Sequence, residues 1–119
     1  MAPVIITLVV LANLARVGTA APLEHDYILS QKAHVRAEQL CKTGQWSHEG
    51  WVKSFSGTKY NYLGENLAKN FPRLEDAHAG FMNSSSHRAN ILNQNFQKMG
   101  VGFASCGMYV ELFGGVGAK

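Results

Sequence analysis

Three side chains able to do acid–base or ligand chemistry stand in short polar stretches between apolar ones: His48 in QWSHEGW, Glu65 in GENLA and His87 in SSSHRAN. Such stretches are where folds tend to display functional groups. Two imidazoles and a carboxylate are zinc ligands in type, with a fourth position left to water, and a carboxylate near such a water could serve as a base in hydrolysis. Each residue also has a plainer reading. His87 can hydrogen-bond backbone at a helix start, and Glu65 can cap or pair with Arg88. Spacing along the chain does not say whether the three converge. His25, His34 and His78 read as solvated helix-surface groups. Ser84, Ser85 and Ser86 offer a nucleophile, but neither a Gly-x-Ser-x-Gly context nor an evident acid partner supports a triad.

The elements that must position these groups follow from periodicity. Leu29, Ala33, Ala37, Leu40 and Cys41 recur at three- and four-residue spacing, with Asp26 ahead as an N-cap and Gly44 behind as a stop, which predicts a helix. Trp46 to Tyr62 is rich in aromatics, glycine and serine without a helical period, and reads as a loop or a loop with one short strand. Leu74 to Met82 reads as a helix burying Ala77 and Phe81. A short helix near His87 is anchored by Ile91 and Leu92. Met99, Val101 and Phe103 alternate with small residues, and Met108, Val110 and Leu112 alternate after an SCG turn, so these two runs predict a hairpin. Helices interleaved with an antiparallel sheet give an α+β or three-layer fold.

The first 22 residues are open to two readings. The run PVIITLVVLANLA and the small residues of GTAAP suit a signal peptide. Against that, no Lys or Arg precedes the run, Arg16 sits where a cleavage region is normally uncharged, and the run falls short of the ~20 residues that span a bilayer. Residues 1–22 are therefore read as a first helix ending near Gly18 and a linker, with the signal peptide as the alternative, and 1–119 as one domain.

Composition narrows the function classes. The chain has 119 residues, 46% of them hydrophobic, enough for one core. Its formal charge of +3 comes from basic residues scattered from Arg16 to Lys119, without the clusters and interleaved aromatics that a nucleic-acid surface needs. Two cysteines, Cys41 and Cys106, show no CxxC or Cys/His zinc spacing, which leaves a disulfide or two buried thiols. Their places, at the end of a predicted helix and in the hairpin turn, lead us to expect the bridge. It would close a loop of about 65 residues, worth on the order of 4 kcal/mol, and would require an oxidising compartment.

YNYLGENLAKNF, followed by FMNSSSHRANILNQNFQKMGVGFA and then YVELFGG, resembles the bacterial branch of the CAP superfamily. These are SCP-like domains related to the cysteine-rich secretory, antigen 5 and plant pathogenesis-related proteins. NLARVGTAAPL resembles the family's opening helix, and LSQKAHVRAEQLCKTGQWSH its second helix and the histidine after it, so the resemblance covers nearly the whole chain. The spacing from Asn13 to Pro22 is about one residue shorter than the family's.

The resemblance implies an α+β fold: a three-layer α-β-α sandwich with a small central, mainly antiparallel sheet. Its cleft gathers two histidines and two glutamates. His48 matches the first histidine, Glu65 the glutamate of GEN and His87 the second histidine. The place of the second glutamate, three residues after Phe81, falls on Ser84. In eukaryotic relatives the histidines can hold zinc, and one carboxylate fewer leaves less charge to offset a dication. The expectation is thus a secreted or cell-envelope monomer whose cleft of His48, Glu65, Ser84 and His87, beside Trp46, Trp51, Tyr60 and Tyr62, binds a lipid, a glycan, a peptide or another cell-envelope component. It requires no cofactor. Zinc is an optional, weak ligand of His48, His87 and Glu65, and the alternative is a zinc-dependent hydrolase of peptide or cell-wall bonds with Glu65 as base. Asn66, Asn90, Gly64, Gly100 and Gly102 read as framework, the glycines serving positive φ or close packing.

Overall fold

A computed structural model describes residues 2–117. In chain order the elements are helix α1 (Ala2–Arg16), strand β1 (Glu24–His25), helix α2 (Tyr27–Thr43), a 3-10 turn (Trp51–Phe55) and strand β2 (Tyr62–Lys69). Helices α3 (Leu74–Met82) and α4 (Ser85–Leu92) and strands β3 (Lys98–Ala104) and β4 (Met108–Gly115) complete the chain. The sheet runs β1-β3-β4-β2, with β1 parallel to β3 and the other pairs antiparallel. Strand β2 therefore lies at an edge.

Alternation along the strands makes two cores. Leu67, Ala104, Met108, Val110 and Leu112 face α2, where Leu29, Ala33, Ala37 and Leu40 form the anticipated stripe. Met99, Val101, Tyr109 and Phe113 face the opposite way and pack with Leu8, Ala12, Ala77, Phe81 and Ile91 from α1, α3 and α4. Helices thus cover both faces of the sheet, an α-β-α sandwich.

Helix α2 forms between the two signals that the sequence offers. Asp26 accepts hydrogen bonds from the Ile28 and Leu29 amides at 2.8 and 3.2 Å, and Gly44 ends the helix at φ 68°. Gly100 and Gly102 serve close packing rather than positive φ. A Cβ on either would overlap the α2 backbone, at Leu29–Ser30 and at Ala33–His34 respectively, so the bare face of β3 lets α2 lie directly on the sheet.

Helix α1 is fastened at its C-terminal end. The Asn13 amide exchanges two hydrogen bonds with the Leu23 backbone, at 2.7 and 3.0 Å. The buried Arg16 guanidinium donates to four carbonyls, those of Ala21, Ile91, Asn93 and Phe96, at 2.7 to 3.1 Å. Cys41 and Cys106 are bonded, with Cα atoms 5.9 Å apart, and join the end of α2 to the β3–β4 turn.

Two elements differ from expectation. Tyr62–Lys69 is an eight-residue strand, so Glu65 stands on the sheet and not in a loop. Its polar residues are buried on both faces by specific partners, which erases the alternation that marks a half-exposed strand. The two-residue β1 carries His25, which bonds the Ser30 hydroxyl at 2.7 Å instead of standing on a helix. Of the three histidines expected to be solvated helix residues, only His34 is exposed on a helix, whereas His78 is half-buried on α3.

Candidate functional site

The centre of the site is built from α2, the loop after it and β2. Arg36 lies on the apolar stripe of α2, between Ala33 and Leu40 in helical spacing, and is 6% exposed. A cation held there needs a buried counter-charge. It has one. The Arg36 Nε and Nη2 donate to Glu65 Oε2 and Oε1 at 2.9 and 3.3 Å, and Glu65, on the α2-facing side of β2, is 4% exposed. The remaining donors reach the loop: Nη1 bonds the Glu49 carbonyl and Nη2 the Ser47 carbonyl, both at 3.2 Å. Arg36 therefore grips the backbone on either side of His48.

His48 completes the cluster. Its Nδ1 lies 2.9 Å from Glu65 Oε1, while its side chain remains 51% exposed. A carboxylate paired with arginine only accepts, so His48 Nδ1 carries the proton. Nε2 is left as an acceptor turned away from Glu65.

Helix α4 is joined to the same stretch of β2. Asn90 Nδ2 donates to the Glu65 carbonyl at 3.2 Å and to Asn66 Oδ1 at 2.9 Å. Asn66 Nδ2 in turn donates to the His87 carbonyl at 3.2 Å and to Glu111 Oε1 at 3.1 Å. These two amides lace strand to helix, the framework role expected of them. His87 is half-buried, with its ring edge-on to Phe81 at 5.3 Å between centroids. Burial lowers its pKa from the usual histidine value, and His48 lowers it further whenever it is protonated.

Ser84 is the N-cap residue of α4, and its hydroxyl lies 3.5 Å from the Ser86 hydroxyl. It makes no hydrogen bond to His48, Glu65 or His87 among the described residues. Of the four aromatic residues, Trp51 and Tyr60 pack against the α2-side core, whereas Trp46 and Tyr62 are exposed. The Tyr60 hydroxyl donates to Asp26. A surface cavity of about 620 Å³ is lined by His48, Trp51, Val52 and Lys53 among others, and a neighbouring one of about 590 Å³ by Arg36, Lys32, Val35 and Lys53. Neither includes Glu65 or His87.

The donor set does not fit a resident zinc ion. Among the described residues no three His, Cys, Asp or Glu side chains are grouped to hold a metal. Both Glu65 oxygens are already engaged by Arg36 and His48.

Sequence reasoning missed Arg36 and Glu111. The signal for Arg36 was a cation inside an apolar stripe at helical spacing. For Glu111 it was an acid between Tyr109 and Phe113 on one face of a strand. Both positions demand a partner once buried.

The sandwich is that of SCP-domain proteins. An extracellular SCP-domain protein of Bacillus anthracis superposes with a TM-score of 0.90 at 22% identity, covering 95% of this chain and 40% of that one. An outer surface protein of Borrelia burgdorferi superposes at 0.83 and 22% identity, covering 94% and 91%. At these identities the likeness is one of fold. In sequence, the model of the cysteine-rich secretory protein family, CAP, matches residues 17–113, and the chain belongs to that family. It is 35% identical over 94 residues to the YkwD protein of Bacillus subtilis, over 72% of this chain and 36% of that protein. The chain thus spans about a third of the length of the curated relative that it matches.

Proposed function

We propose that this chain is an extracellular or cell-envelope CAP domain that binds a hydroxyl-rich ligand, a glycan, at the cleft of His48, Glu65, Ser84 and His87 without turning it over. The observation that carries this reading is the engagement of Glu65. Arginine engages both carboxylate oxygens and histidine a second lone pair of Oε1, so neither oxygen is left free to take up a water molecule, and hydrolysis lacks its base. What Glu65 does instead is fix the His48 tautomer. The imidazole then presents Nε2 as an acceptor for a ligand O–H or N–H. Trp46, two residues earlier and 54% exposed, offers a flat apolar face of the kind on which a sugar ring stacks. Lipids lack that density of donors, which favours a glycan over an acyl chain. Supporting the location, two structural neighbours are described as an extracellular protein and an outer surface protein.

The test is a titration of the wild type, His48→Ala and Trp46→Ala with an N-acetylglucosamine tetramer, read by tryptophan fluorescence and calorimetry, with mass spectrometry of the sugar afterwards. Saturable binding that weakens at least tenfold in both variants, with the sugar intact, is expected. Zinc is a separate arm, in which an equal thermal response of wild type, His48→Ala and His87→Ala is expected. No saturable binding, or zinc-dependent cleavage lost in Glu65→Gln, would overturn the reading.

A further inference from the structure

Among the described residues, Glu111 is the one acidic side chain on the α4-facing surface of the sheet, and the cleft chemistry above does not use it. It is 0% exposed, in the middle of β4 opposite Asn66 of β2 and Val101 of β3. Its Oε1 accepts from Asn66, and among the described residues its Oε2 has no hydrogen-bond partner. On the helices packed over this face, Glu75 of α3 and Arg88 of α4 are exposed and Asp76 of α3 pairs with Arg73. The titratable groups turned inward are Arg16 of α1, His78 of α3 and His87 of α4, with Tyr109 of β4 beside them on the sheet. None forms a hydrogen bond or an ion pair with it. Arg16 is taken up by four carbonyls, and the buried Nδ1 of His78 has no partner. A carboxylate so placed would be a buried, uncompensated charge.

The hydrogen bonds from Glu111 lead to the cleft. Asn90 donates to Asn66 and Asn66 donates to Glu111, so both amides point their donors along one line that ends on this carboxyl. The same two amides hold the backbone carbonyls of Glu65 and His87. An event at Glu111 therefore reaches both walls of the cleft through two side chains.

We propose that Glu111 is a positioning residue for the cleft: its uncharged carboxyl holds the Asn66–Asn90 ladder that joins β2 to α4, and its ionisation loosens that joint. The step is a simple acid dissociation, with the proton passing from the carboxyl to solvent. Burial pushes the group up to about 7, against the lowering pull of the Asn66 hydrogen bond, which places the change near neutral pH. The charge strengthens the bond from Asn66, but the partnerless Oε2 must then be hydrated. The water that enters parts α4 from the sheet, and α4, with His87, shifts relative to Glu65 and His48. This coupling goes beyond the ligand reading and holds with or without a glycan in the cleft.

Amide hydrogen exchange measured by NMR at pH 5.5 and 8.5 tests it, with rates corrected for their intrinsic pH dependence. In the wild type, protection of the amides of residues 64–67 and 88–92 falls by about tenfold or more at the higher pH. In Glu111→Gln, which stays uncharged, the same amides keep their protection. A second measurement needs no variant: the side-chain carboxyl carbon of Glu111 titrates near neutrality in wild-type protein, and the His87 ring resonances shift with the same midpoint. Equal pH dependence in wild type and Glu111→Gln, pH-independent protection in the wild type, or a Glu111 midpoint at ordinary carboxylate values would overturn the proposal. A null glycan titration leaves these readouts untouched, so the two readings fail separately.

Discussion

The Arg36 guanidinium donates to both carboxylate oxygens of Glu65, 29 residues further along the chain, at 2.9 and 3.3 Å. That pair joins the first helix layer to the edge strand and fixes the loop carrying His48. Buried ion pairs contribute little net stability, because desolvation offsets attraction, yet removing one partner strands the other. Arg36→Met is therefore expected to lower unfolding free energy by about 3–5 kcal/mol in urea titrations, and Arg36→Met/Glu65→Leu by much less. Arg36→Lys should resemble Arg36→Met more than wild type, since an ammonium cannot hold two carboxylate oxygens and two carbonyls at once. A single variant as harmful as, or less harmful than, the double would show that the pair is not the source of the effect.

The disulfide gives a second expectation. Cys41 and Cys106 are 65 residues apart, and their bond ties the end of α2 to the β3–β4 turn. Closing a loop of that length restricts the unfolded chain, so Cys41→Ser/Cys106→Ser should lose about 4 kcal/mol. The urea midpoint of wild type in reductant should approach that of the double variant. A midpoint unmoved by reductant would contradict this.

The sequence showed the helices and the hairpin because their signals are local. Asp26 and Gly44 mark the ends of α2, and Met99 to Leu112 alternates with a turn in the middle. The cleft residues were legible as motif positions, through resemblance, and not as a geometry. Strand β2 was hidden because Glu65 and Asn66 look like loop residues until Arg36, Glu111 and Asn90 are known to meet them. Those partners lie 24 to 45 positions away. Pairing at that separation is a property of topology, and one-dimensional periodicity carries no trace of it.

Stability should depend on pH through groups of opposite sign. Burial lowers the pKa of His78, and burial together with the charge of His48 lowers that of His87, both from 6.5. For a lowered histidine the unfolded chain takes up the proton first. Its stabilisation is complete above pH 6.5 and is lost as pH falls through 6.5 toward the folded value. Glu111 is raised by burial from 4.5 to about 7, so the folded chain protonates first, and stability present below 4.5 is lost as pH rises through about 7. That loss is on the order of 3 kcal/mol. Between pH 4.5 and 6.5 the two slopes oppose each other in the wild type. Glu111→Gln should therefore fall more steeply on acidification than wild type, and His78→Gln/His87→Gln should gain stability on acidification. Urea midpoints at half-unit pH steps read both, and identical profiles in all three proteins would refute the assignment.

The last prediction links packing to the site. Gly102 of β3 faces Ala33 and His34 of α2, and a Cβ there would overlap their backbone, an obstacle that no side-chain rotation relieves. Helix α2 must move outward, at a cost of about 1–3 kcal/mol for an overpacked contact. Arg36 lies less than one turn beyond Ala33, so the displacement draws its guanidinium away from Glu65 and slackens its hold on the carbonyls of Ser47 and Glu49. Gly102→Ala should therefore lose stability and also broaden or shift the His48 Nδ1–H proton resonance, which reports the bond to Glu65. Gly100→Ala makes the comparison. Its Cβ would meet Leu29 and Ser30, about two turns from Arg36, so it should lose similar stability while disturbing the His48 signal less. An unchanged His48 resonance in a destabilised Gly102→Ala would mean that α2 yields locally and that Arg36 keeps its grip without the glycine face beneath it.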